Sequence, residues 1–457
     1  MAKHFELIKE WHNSLKIKGS SILLLLSINI IIRIFHHLIY TPALYHDTYD
    51  YLEITNCLLN WNFSNYQAIR PPIYPIVLSL HYIDDRLVWI VQSLMGVTIS
   101  LLIFFISTNI TTKNTAFFIA IVYSLCFNLL FVEAALLSET TTIFFLVLTL
   151  YLFTKYLKER KPYYLLQISL FSSLAVLTRP IMIILVASIL LSLYLFHKND
   201  IYKKRFQIIR MTYFLLPVLI MILGWSLFNK FQSNYFGITS LPGYNLSNIS
   251  GKFIERCEDK EYKEIKDIYL KYREKRKTHI FTIFYAKDEI MEKTGLTFSG
   301  LSKKLTMLSL KLFYKNPHLY LKSVITSFIN YWGAGNVWQP ENINETYKKT
   351  LLNIWNAQKV ILIGTNTFFL ISLILLFIKK KSLIIINNPL LLLMTMIIIF
   401  SSILQALVEH GENTRYKLPF QHLILIVVIK IIYDIIQDKL VYKTPIVKSY
   451  FKVLNKI

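Results

Sequence analysis

Apolar residues fall in long runs separated by short polar segments. The first covers residues 20–40, and others cover 87–106, 115–132, 138–157, 163–178, 180–196, 211–229, 359–378, 383–408 and 418–436. Most of these runs are long enough for a helix to cross a hydrocarbon core. The pattern predicts an all-α polytopic membrane protein, a bundle of about 10 transmembrane helices (nine to twelve) with a small, mostly helical outer domain.

Two polar stretches are longer than the rest. In 41–86, apolar residues recur at Tyr51, Ile54, Leu58 and Trp61, a spacing that suits a helix lying on the membrane surface. The other, 230–358, holds the charged helical stretch EYKEIKDIYLKYREKRK, the amphipathic LSKKLTMLSLKLFY ending at Asn316-Pro317, and the amphipathic HLYLKSVITSFINYW. The expected division is therefore an N-terminal transmembrane module over 1–229, with first outer loop 41–86, an outer domain over 230–358, and C-terminal helices with a basic tail over 359–457.

Composition agrees with the runs: 54% of residues are hydrophobic, and 50 Lys and Arg stand against 27 Asp and Glu, a net charge of +23. The basic residues cluster in the short segments TNITTKN, KERKP, HKNDIYKKRFQ and KKKS and at both ends of the chain. That placement fits orientation determinants beside an anionic leaflet and predicts two cytoplasmic termini, with the long stretches outside. No basic-aromatic module stands apart from the spans, so nucleic acid is not an expected partner; membrane lipids are. Cys57, Cys126 and Cys257 are scattered and odd in number, which indicates neither a disulfide framework nor a cysteine metal site. A cleavable signal ending near Ala43 would explain the basic start, but the apolar run continues to Tyr40 and more spans follow, so an uncleaved first helix is expected. Asn245 and Asn248 match glycosylation sequons.

The threading gathers ionisable residues on one face. Asp47, Asp50 and Arg70 lie in the first outer loop, Glu133 and Glu139 between the third and fourth runs, Arg179 after the fifth, and Glu409, Glu412 and Arg415 before the last. Such a set could hold an anionic phosphate on guanidiniums while a carboxylate acts on a hydroxyl. Plainer readings exist. Asp47 and Asp50 suit a helix N-cap and acidic first turn, and Glu139 after Ser138 suits a helix start. Arg179 and Arg415 could anchor span ends at headgroups, Arg33, His36 and His37 could snorkel there, and Pro71, Pro72 and Pro75 could simply direct the backbone. His410 suggests no role.

With these residues placed, the chain resembles GT-C type membrane glycosyltransferases, in particular the bacterial group similar to protein mannosyltransferases and aminoarabinose transferases. HDTYDYL resembles the family's acidic first-loop motif, RPPIYP its Arg-Pro-Pro segment, LLSETTTIFFLVL with the later LTRP its Ser-Glu helix start, TRYKLPFQHLILI its late Arg-Tyr-x-x-Pro segment, and NPHLYLKSVITSFINYW its membrane-side segment. The resemblance implies a transferase that moves a sugar from a polyprenyl-phosphate donor to an envelope acceptor (glycan, lipid or protein), with inversion, on the outer face of the cell (inner) membrane. Asp47 would be the base, supported by Asp50 and with Glu139 as second acidic residue. Arg70, Arg179 and Arg415 would hold the donor phosphate. It leaves open whether a divalent metal, which oxygen ligands such as Asp47 and Glu139 suit, takes part; no other cofactor is expected. The outer domain shows no acceptor signature. A flippase would favour internal symmetry and midplane charges, neither of which stands out, and a polymerase or ligase would need several outer arginines to handle diphosphate, whereas Arg256, Arg273 and Arg276 read as a solvated face.

Overall fold

A computed structural model describes residues 2–64, 66–197, 204–378, 385, 387–411 and 413–443. Among them every regular element is a helix; the extended contacts are two isolated bridges, Tyr40 with Ile343 and Ala43 with Ala135. In chain order the α-helices are α1 (Ala2–Ile39), α2 (His46–Leu59), α3 (Ile73–Leu78), α4 (Asp85–Ser107), α5 (Lys113–Ser124), α6 (Phe127–Phe131), α7 (Glu139–Glu159), α8 (Pro162–Thr178), α9 (Ile183–His197) and α10 (Lys204–Ser233). They continue as α11 (Pro242–Ser250), α12 (Lys263–Arg276), α13 (Thr282–Thr294), α14 (Phe298–Lys315), α15 (Pro317–Tyr331), α16 (Glu345–Ile378), α17 (Pro389–Val408), α18 (Asn413–Tyr416) and α19 (Gln421–Lys443).

Local chemistry sets the helix ends. Proline opens α8, α11, α15 and α17, where its missing N–H would have had no intrahelical partner. The Asn388 carboxamide oxygen accepts from Leu390 N and Leu391 N at the start of α17, and Thr112 and Asp84 cap α5 and α4. Gly295, at φ 66°, closes α13 in the left-handed region.

The chain is an all-α polytopic membrane protein. Seven described helical segments are long and apolar enough to cross a membrane: Ser21–Ile39, Asp85–Ser107, Glu139–Glu159, Ile208–Ser233, Glu345–Ile378, Pro389–Val408 and Asn413–Gln437. An eighth counts if Lys113–Ser124 and Phe127–Ala134, bent by 60°, form one broken span. Three of the ten runs take a form other than one long straight helix. The run at 115–132 is kinked, and those at 163–178 and 180–196 fold into helices of fewer than 18 residues. The run starting at 359 belongs to a helix that begins at Glu345, so the expected boundary at 358 falls inside α16.

The main core is shared by α4, α7, α8 and α10, packed in that spatial sequence, with α5 beyond α4 and α17 against α9 and α15. A second core, from Tyr244 to Phe313 with Ile69 added from the first loop, joins α11 to α14 into one helical unit within the stretch expected as the outer domain. The three helical stretches drawn there correspond to α12, α14 and α15. Asn248 is fully buried: its Nδ2 donates to Glu409 Oε1 at 2.7 Å, and its Oδ1 accepts from Phe281 N at 2.9 Å. The second sequon is thus part of the packing and is not offered as a glycan site.

The same junction carries a titratable pair. The His279 and His410 rings stack at 5.5 Å. Burial first, then the neighbouring His410, Lys252 and Arg273, hold His279 down to about 4; burial and Lys252 lower His410 as well. A histidine lowered by folding takes up protons more readily when unfolded. Its contribution is therefore intact above about 6.5 and lost as pH falls toward the folded value. The outer domain is expected to be cut faster by an acid-tolerant protease at pH 5 than at pH 7, with the difference reduced in His279→Phe.

Candidate active site

The helix that carries Asp47 begins directly after a tightly held lead-in. Tyr45, extended at φ −128° and ψ 165°, is the N-cap of α2, and its N–H donates to Thr48 Oγ1 at 3.0 Å. The Thr48 hydroxyl in turn donates to Leu136 O at 2.9 Å. Tyr45 Oη donates to Val337 O at 2.9 Å, so the lead-in is braced from the 333–344 loop as well. Asp47 sits in the first turn, where its charge suits the helix dipole, but it is not the cap. Its carboxylate is directed elsewhere.

Six charged side chains from four segments meet there. Arg70 Nη2 donates to Asp47 Oδ1 at 2.8 Å, and to Asp50 Oδ2 at 2.8 Å. Arg70 Nε reaches Asp50 Oδ2 at 3.2 Å. On the other side of Asp47, Oδ2 accepts from Arg415 Nη2 at 2.8 Å. Arg415 Nε donates to Glu139 Oε1 at 2.9 Å, and Arg179 Nη1 pairs with that same oxygen at 3.0 Å. The cluster thus links Asp50, Arg70, Asp47, Arg415, Glu139 and Arg179, three carboxylates alternating with three guanidiniums. Tyrosine rings lie under two of the cations, Tyr51 at 5.0 Å from Arg70 and Tyr416 at 5.6 Å from Arg179.

Exposure divides the six. The Glu139 side chain is wholly buried, whereas Asp47 keeps 30% of its side-chain surface and Asp50 25%. The arginines keep 11–17%. Burial pushes the Asp47 carboxyl up, but Arg70, Arg415 and Arg179 together override it and hold the group well below the usual carboxylate range. It is ionised at neutral pH, and both of its oxygens are occupied.

Every predicted site residue lies in this cluster. The headgroup-anchor reading of Arg179 and Arg415 does not describe them, since both turn inward to Glu139. Glu133 is not a neighbour: it pairs with Arg33 at 2.6 Å. Arg33 and His36 do not snorkel either, being 4% and 1% exposed. Glu409 joins the outer-domain junction through Asn248, and Glu412 lies outside the described residues. What the motifs did not disclose is the support: Tyr51 sharing a hydrogen bond with Ser138 at 2.8 Å, and the buried Lys417, whose Nζ donates to Gly333 O. Gly335 packs so closely on Thr414 that a side chain there would overlap it, which seats the 333–336 loop directly on the helix bearing Arg415.

The donor set does not fit a divalent cation between Asp47 and Glu139. Arg415 fills that interval, and each carboxylate is already neutralised by two guanidiniums. Among the described residues no three His, Cys, Asp or Glu side chains gather as ligands.

Residues 71–225 match the family model described as dolichyl-phosphate-mannose-protein mannosyltransferase. The matched segment begins at Pro71, directly after Arg70, and holds Glu139 and Arg179, so the likeness drawn from separate motifs extends across the helices between them. No curated protein matches the chain. Among solved structures, the archaeal oligosaccharyltransferase AglB from Archaeoglobus fulgidus, in complex with an inhibitory peptide and a dolichol-phosphate, aligns at a TM-score of 0.46 with 11% identity. The alignment covers 96% of this chain and 51% of that one, so this chain spans about half its length.

Proposed function

We propose, for a chain similar to the GT-C type membrane glycosyltransferases, that the cluster transfers a sugar from a polyprenyl-phosphate donor to a hydroxyl of an envelope glycan, lipid or protein. The reading places the site on the outer side of the cell membrane, in keeping with the basic segments lying at the opposite ends of the helices. The observation that carries it is the alternation itself: one partly exposed carboxylate held between arginines that have further acidic partners.

The chemistry follows from competition for guanidiniums. The donor is a phosphodiester with one negative charge. Its phosphate oxygens match the bidentate fork of Arg415 and Arg70 as well as a carboxylate does. When those forks turn to phosphate, Asp47 loses the cations that weaken it as a base. Its freed oxygen accepts the proton of the acceptor hydroxyl while the acceptor oxygen bonds to the anomeric carbon. The bond from that carbon to the phosphate oxygen breaks, and its electron pair leaves on the lipid phosphate, which becomes a monoester with additional charge. Attack opposite the leaving oxygen inverts the anomeric centre. Arginines gain most at this moment, because the charge they face is growing. Glu139, fully buried, acts by fixing Arg179 and Arg415, and Asp50 does the same for Arg70.

The test is transfer of labelled sugar from a synthetic polyprenyl-phosphate sugar by the purified enzyme in lipid, with the product's anomeric configuration read by NMR. Absence of transfer to glycan, lipid and protein acceptors alike would sink the reading; movement of the intact donor across vesicles without bond cleavage would point to a flippase. Because arginines occupy the place a cation would need, EDTA is expected to leave the rate unchanged, and a rate restored only by added Mg²⁺ or Mn²⁺ would contradict that arrangement.

A further inference from the structure

Beneath the cluster lies a second buried charge pair that the chemistry does not use. Arg33 Nη2 donates to Glu133 Oε1 at 2.6 Å and Nη1 to Asn29 Oδ1 at 2.8 Å. The network continues from Asn29 to Ser100 at 3.0 Å and from Ser124 to Asn29 at 2.7 Å. Gly96 of α4 is so close to the pair that a side chain there would overlap both partners. Ions inside an apolar bundle are costly, and a pair retained there needs a reason. Its position supplies one: Glu133 stands at the end of the broken span, just where the chain leaves helix and turns toward Glu139.

One neutral side chain holds that turn. Gln92 of α4, fully buried, gives one N–H to Glu133 O at 2.9 Å and another to Ala135 O at 2.8 Å. Between those two carbonyls, Ala134 O accepts from Ala43 N at 2.9 Å, and Leu136 N donates to Ala43 O at 3.0 Å. The register then runs outward through Thr48 on Leu136 O and Tyr51 on Ser138. Thr48 follows Asp47, and Ser138 precedes Glu139.

We propose that Gln92, seated by the Arg33–Glu133 pair, is a positioning residue that sets the spacing between Asp47 and Glu139. It touches neither carboxylate. It fixes the segment 133–138 against 43–51, and with it the gap that Arg415 bridges. The proposal rests on the reading of the cluster as a transferase site.

Gln92→Leu keeps the side chain's bulk and removes both N–H groups. Turnover per folded enzyme is expected to fall about 10²-fold, the scale of a small misplacement of reacting groups. The donor KM should stay unchanged because the arginines remain. An independent readout is disulfide cross-linking of Ala43→Cys with Ala135→Cys, which the parallel bridge between these residues favours; Gln92→Leu should lower its yield. Unchanged turnover and unchanged cross-linking overturn the proposal, and so does a loss of folded protein whose survivors turn over normally. Should Gln92→Leu not fold, Tyr51→Phe loosens the same register at its outer end. It should lower turnover without raising donor KM, and normal turnover would count against the proposal. If the wild-type chain transfers no sugar at all, the functional reading has failed, and the cross-linking yield alone decides the positioning role.

Discussion

Asp47→Asn is expected to lower turnover by about 10²- to 10⁴-fold, the contribution of a positioned base, while the protein folds and binds donor. The amide retains the shape of the carboxylate but cannot take the acceptor proton. Folding should survive, because the start of α2 is secured by Tyr45 and Thr48 and not by Asp47. Binding of the lipid phosphate should hold or improve, since Arg70 and Arg415 lose a competitor. The check is single-turnover kinetics with donor affinity measured separately. Turnover within tenfold of wild type would remove Asp47 from the mechanism, and loss of folded protein would assign it to the helix start. The pH profile adds a second arm. Burial raises the Asp47 carboxyl, and the three arginines lower it further than burial raises it, so in the free enzyme the acid limb of kcat/KM should lie below the ordinary carboxylate range. The same depression stabilises the fold above about pH 4, and this contribution is lost as pH falls through the lowered value.

Arg415→Lys should lower kcat/KM by about 10²- to 10³-fold, although the charge is kept. A lysine offers one compact ammonium, whereas Arg415 uses Nε on Glu139 and Nη2 on Asp47 at once. The lysine can hold one carboxylate or the phosphate, but it cannot keep the interval between Asp47 and Glu139 filled. An arginine that merely anchored a span end at headgroups would be replaced by lysine without loss, so kinetics of this one variant separate the two roles. Arg415→Ala is the harsher form. It leaves the wholly buried Glu139 to Arg179, at a cost on the order of 3 kcal/mol in stability, and its activity should be read only after correction for folded fraction.

Much of this cluster was legible in the sequence because its charged residues stand in motifs at or beside helix ends. Asp47, Asp50, Arg70, Glu139, Arg179 and Arg415 were drawn on one face by threading alone, and the structure brings all six within one chain of ion pairs. The helical class was legible for a similar reason, since apolar run length is a direct consequence of bilayer thickness. Span lengths were less so: hydropathy cannot show the 60° bend after Ser124, because both arms are equally apolar. Arg33 was read as snorkelling because its partner lies 100 residues away in sequence. Glu133 is near Glu139 in sequence but faces a different helix, where it pairs with Arg33. Gln92 carried no signal at all, since an amide in an apolar run acquires meaning only from the two carbonyls it meets.

The segment that bears Arg415 is also tied to α11 and α15. Glu409 accepts from Asn248, and the Ser327 hydroxyl donates to Glu409 O at 2.7 Å with Asn413 Oδ1 also 3.0 Å from its oxygen. This limits how freely the two halves can be exchanged. A chimera that carries these helices from a relative would lose the anchors of the 409–413 segment. Unless Asn248 and Ser327 travel with the graft, the guanidinium at 415 would be left without its footing. Exchanging these helices is therefore a matter of preserving a seam.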